Sequence, residues 1–86
     1  MLIYRVRETN SGYFVDTRDG EGHVIGSYLI TKGIGGYKCS CEAFAKTQNQ
    51  YTHFHILVVK KWLEDGKSPT ARYVKGRDHK IQALIN

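Results

Sequence analysis

Two short-spaced pairs, Cys39-Ser40-Cys41 and His53-Phe54-His55, hold both cysteines of the chain and two of its four histidines within 17 residues. They constrain the fold more than any other feature. A chain of 86 residues makes one domain with a thin core, and such domains often add a disulfide, a metal or a partner. Cysteines one residue apart close only a strained disulfide ring, so metal or thiol chemistry remains. A structural zinc site takes four tetrahedral ligands drawn from thiolate and imidazole, and the two pairs supply that number.

Geometry adds a condition. Residues two apart in a regular helix point roughly 200° away from each other and cannot share an ion. His53 must therefore precede any helix that contains His55. Taken singly, each residue also has an ordinary reading: the cysteines as small buried hydrophobes, His55 as a hydrogen-bonded core residue, His53 as a solvated loop residue. A redox role for the cysteines would leave the histidines unexplained. The clustering favours one structural Zn2+ on Cys39, Cys41, His53 and His55, with His23 and His79 outside it.

The rest of the chain patterns around these pairs. "LIYRVRE" (2–8) alternates with a period of two, and "YFVDT" (13–17) is rich in strand-forming residues. "RDGEG" (18–22) carries a hairpin signal into "HVIGSYLIT" (23–31), where Gly26 hints at a bulge or a close approach. "YKC" (37–39) can form a short fourth strand delivering Cys39. "EAFAK" (42–46) suits a short helix and "TQNQYT" (47–52) a polar loop. "FHILVVKKWLED" (54–65) is the main helix, stopped at Gly66, with His55, Val58, Val59 and Trp62 on one stripe. The expected fold is α+β: an antiparallel sheet of three to four strands, a zinc knuckle and one main helix over residues 1–66, motif 39–55. Residues 67–86 read as a basic C-terminal extension ending in a weak strand or helix.

Residues 37–59, "YKCSCEAFAKTQNQYTHFHILVV", resemble the SWIM zinc finger: Cys-x-Cys, a variable gap, then Cys-x-His and an apolar helix. Tyr37 before the first cysteine, Phe44 three residues after the second, and "HILVV" opening the helix carry the likeness, which covers roughly residues 13–65. His53 stands where that family usually has a third cysteine, and imidazole is a competent zinc ligand. SWIM domains occur in transposases, chromatin-remodelling ATPases and recombination-associated proteins, so the resemblance implies DNA or protein binding.

Charge points the same way. The formal charge is +5, and residues 67–86 hold Lys67, Arg72, Lys75, Arg77 and Lys80 against Asp78 alone. Such an excess suits nucleic acid, DNA before RNA, with Arg72, Lys75, Arg77 and Lys80 on phosphates and Tyr73 as a stacking surface. Lys38, Lys46, Lys60 and Lys61 would extend the patch. The alternative is a protein-interaction adaptor presenting Tyr28, Phe54 or another aromatic of a tyrosine-rich chain. Four protein ligands leave no open metal position, and "GIGG" (33–36) lacks the continuation of a phosphate loop, so no enzyme is expected. The longest apolar run, "ILVV" at 56–59, is far short of the roughly 18 residues of a membrane span. "MLIYRVRETN" lacks the apolar stretch of a signal peptide, so the expected setting is intracellular.

Overall fold

A computed structural model describes residues 2–78 and 80–84; His79 lies outside the described residues. Among the described residues, six strands form one antiparallel sheet, curved as a half-barrel, in the order β4-β3-β2-β1-β5-β6. The strands are β1 (Ile3–Thr9), β2 (Gly12–Arg18), β3 (Val24–Gly33), β4 (Gly36–Cys39), β5 (Arg72–Lys75) and β6 (Ile81–Leu84), with helices α1 (Glu42–Thr47) and α2 (Phe54–Glu64) between β4 and β5.

The first four strands are a meander, with β1 showing the alternation expected over residues 2–8. Val6 pairs with Val15 and Val15 with Tyr28, so one row of side chains faces α2. Between Thr17 and Arg18 the register against β3 slips, Thr17 facing Gly26 and Arg18 facing Val24, which leaves Ile25 as the extra residue of a bulge. The opposite face carries a cross-strand network. Arg7 holds Asp16 with two hydrogen bonds, 2.7 Å from Nε and 3.1 Å from Nη2, and Ser27 Oγ donates to the same carboxylate at 2.6 Å. Asp16 is buried yet satisfied, the condition for a charge at such a position.

The expectation of three to four strands and one main helix is overturned: the domain is mostly β, with six strands and two helices. The difference comes from the residues after Gly66. β5 pairs with β1 through Tyr73 and Tyr4, and β6 completes a hairpin with β5. Burial explains the docking. Tyr73 is 0% exposed, its hydroxyl donates to Asp65 Oδ2 at 3.0 Å, and Val74 is also buried. The edge of β1 thus gains a partner, and a bulky ring closes the core beneath α2.

α2 lays Ile56, Val58, Val59 and Trp62 on the sheet. Its far end is held by Trp62 Nε1 donating to the Ser68 carbonyl at 2.8 Å. The chain exposes 5826 Å², against roughly 5,200 Å² for a compact protein of this mass. A core this thin leaves room for a further fastener.

Candidate metal centre

Cys39 is the last residue of β4, placed by its pairing with Ile30 of β3. Ser40 keeps the chain on β3 for one step more: its N–H donates to the Leu29 carbonyl and its Oγ accepts the Leu29 N–H, both at 3.0 Å. The backbone then turns at Cys41, which caps α1 in an extended conformation. Both thiols thus point to one side of a knuckle.

The histidines arrive on the other side. His53 is the extended residue before α2 (φ −71°, ψ 121°), and His55 lies in the first turn. Two donors two residues apart can meet one ion only with the first of them outside the helix. Cys41 Sγ stands 3.0 Å from His53 Nε2, Cys39 Sγ stands 3.6 Å from His55 Nδ1, and all four donor atoms lie within 4.8 Å of one another. Zinc bonds of roughly 2.0–2.3 Å imply tetrahedral edges of about 3.3–3.8 Å. The four donors form a tetrahedral-like Cys2His2 group that could hold a metal such as zinc.

Aromatic rings pack against the two histidines. Tyr28 stacks on His55 with centroids 4.5 Å apart and planes at 17°, and Phe44 meets His53 edge-on at 5.3 Å. Gly26 makes room for the Tyr28 ring: a Cβ there would fall 2.9 Å from the tyrosine hydroxyl. Gln50 is a positioning residue that sequence reasoning missed. Its Oε1 accepts the Tyr37 N–H at 2.8 Å and its Nε2 donates to the Gly35 carbonyl at 3.1 Å. The loop before His53 is thereby tied to the β3–β4 turn, and Gly36, at φ +106°, has no side chain to obstruct the amide. No local pattern marks a glutamine as such a clasp.

Protonation fits the same reading. Burial pushes the Cys39 thiol up to about 12, reinforced by Cys41 beside it. Burial lowers His53, and burial together with His53 brings His55 down to about 4. The imidazoles are therefore neutral at neutral pH, as metal ligation requires, whereas the Cys39 thiol needs a nearby cation to ionise. Asp19, Glu21 and His23 also come together, on the exposed β2–β3 turn. There Asp19 Oδ1 already accepts the N–H groups of Glu21 and His23, which accounts for the cluster as turn chemistry.

The nucleic-acid candidates are dispersed in part. Lys60 and Lys61 of α2 and Lys80 before β6 line one groove of about 360 Å³ with Leu57, Glu64 and Ile81. Lys75 is exposed with Nζ 5.2 Å from the Phe54 ring centroid, and Arg77 is exposed in the β5–β6 turn. Lys46 is exposed at the end of α1, and Lys38 is exposed on the sheet face away from α2. Arg72 shares that outward face and has a partner of its own. Tyr73 is wholly buried and offers no ring to a base.

Comparison with known proteins adds no relative: no family model, curated protein or solved structure matches the chain. Among the described residues no helix is long and apolar enough to cross a membrane.

Proposed function

We propose that this chain is a zinc-stabilised DNA-binding module of SWIM type, working inside the cell and catalysing no reaction. The convergence of Lys60, Lys61 and Lys80 on one groove, from a helix and a hairpin distant in sequence, carries the reading. A duplex or strand laid there meets cations held by rigid elements, and phosphate contacts of this kind supply most nonspecific affinity. The Cys2His2 cage supports a structural role for the metal, since four protein donors leave no position for substrate. Free thiols in that cage suit a reducing compartment. The adaptor reading loses its named anchors, because Tyr28 packs on His55 and Phe54 on Tyr4.

Titration of labelled DNA across a salt series tests this. Log affinity should fall with log salt at about 0.7 to 0.9 per phosphate contacted, and each of Lys60→Gln, Lys61→Gln and Lys80→Gln should flatten the slope by about one contact. Binding that ignores salt and these changes would overturn the proposed surface.

A further inference from the structure

Beside that groove lies an arrangement the DNA reading does not require. Tyr51, in the loop between α1 and α2, is 74% exposed. Lys60 Nζ sits 5.4 Å from the ring centroids of both Tyr51 and Tyr37, and Lys32 Nζ sits 5.4 Å from that of Tyr37. Two rings and two cations from β3, β4, the loop and α2 thus form one cluster. Gln50 clasps the loop to the β3–β4 hairpin, so the backbone that carries Tyr51 is anchored beside Tyr37.

The charges are uncommitted. Lys61 pairs with Asp65, Lys67 with Glu8 and Arg7 with Asp16. Among the described residues, Lys32 and Lys60 pair with no carboxylate. Lys60 belongs to both features, so a line of lysines runs from Lys32 through Lys60 to the groove that Lys80 also lines, with Lys61 there paired to Asp65.

We infer that the Tyr37, Tyr51, Lys32 and Lys60 cluster binds an unpaired strand of DNA, with a base stacked on Tyr51 and phosphates along the lysine path. This rests on the DNA reading above and specifies its substrate. An exposed ring can stack only on a base with a free face. Paired and stacked bases in a duplex hide theirs, whereas single strands are held by such rings combined with a cationic track. The stacking role expected of Tyr73 passes to Tyr51, a residue of the loop between the ligand pairs.

Fluorescence anisotropy with a labelled oligothymidylate of about 15 nucleotides and a duplex of equal length tests the inference on the full-length, zinc-loaded protein. The single strand should bind more tightly than the duplex. Tyr51→Ala should weaken strand binding about tenfold, Tyr51→Phe should stay within about twofold of the parent, and Lys60→Gln should lower the salt slope on the strand by about 0.7. Equal zinc content and thermal midpoint in parent and variants establish that the fold is intact. Tighter duplex binding, or a Tyr51→Ala protein that binds strand like the parent, overturns the inference and leaves the DNA reading standing. Binding to neither overturns both, and tighter binding to oligouridylate overturns the assignment to DNA.

Discussion

Cys39 and His55 illustrate how one side chain can serve the core and the site together. Cys39 is packed in the main hydrophobic cluster, and His55 is sandwiched by Tyr28 above a helix whose next turn is core. Cys39→Ser or His55→Ala should abolish binding of one zinc by native mass spectrometry. Each should lower the thermal midpoint by more than the roughly 4–8 °C that accompanies 1 kcal/mol in a domain this small. His23→Ala, on the exposed turn, should change neither. Asp16 sets a different dependence. Burial raises its pKa, but hydrogen bonds from Arg7 and Ser27 and the charges of Arg7 and Arg18 outweigh burial and hold it below 3.8. A carboxylate with a lowered folded-state pKa contributes stability that is whole above pH 3.8 and is lost as pH falls through the folded value. Asp16→Asn should therefore be less stable than the parent near neutrality, with the urea midpoints converging as pH falls below 3.8. A constant gap would show that the ion pair contributes nothing to folding.

At the scale of elements, α2 is fastened at both ends and along one face. His53 and His55 secure its start, Trp62 and Ser68 its end, and Tyr73 reaches Asp65 at its C-cap from β5. β5 is therefore part of the core support for the helix. Tyr73→Phe keeps the ring and loses one hydrogen bond, which should cost about 0.5–1.5 kcal/mol. Tyr73→Ala leaves a cavity in the 0% exposed position and should cost about 3–5 kcal/mol, comparable to other large aromatic truncations. Denaturant titration separates the two. It also follows that removing residues 67–86 would strip a core residue with the basic side chains, so point changes at Lys60, Lys61 and Lys80 are the sounder probe of binding.

For the whole molecule, a half-barrel with a thin core meets helices that pack only one face of the sheet, and the cage ties the α1–α2 segment to the sheet edge. A strong chelator should broaden or abolish cooperative thermal unfolding, followed by circular dichroism, with zinc restoring it; a chelated protein that melts unchanged would falsify a structural metal. Several features were legible in residue order alone. The period-two run at 2–8, strand-forming composition and turn signals placed the first four strands, the stripe from His55 to Trp62 placed α2, and the 3.6-residue period put His53 ahead of it, because these depend on local spacing and residue type. The docking of β5 on β1 was not legible. "RYVK" is too short and too charged to announce a strand, and what buries Tyr73 is an unpaired edge and a helix end far away in the chain. Nor could spacing reveal Gln50 as a clasp or Lys60 between two rings, since each depends on segments meeting across the fold. Local spacing and residue type determined the first four strands, α2 and the candidate Cys39, Cys41, His53, His55 group; which late strands dock, which charges converge, and which aromatic stays exposed were decided by tertiary packing, because burial is a property of the assembled surface.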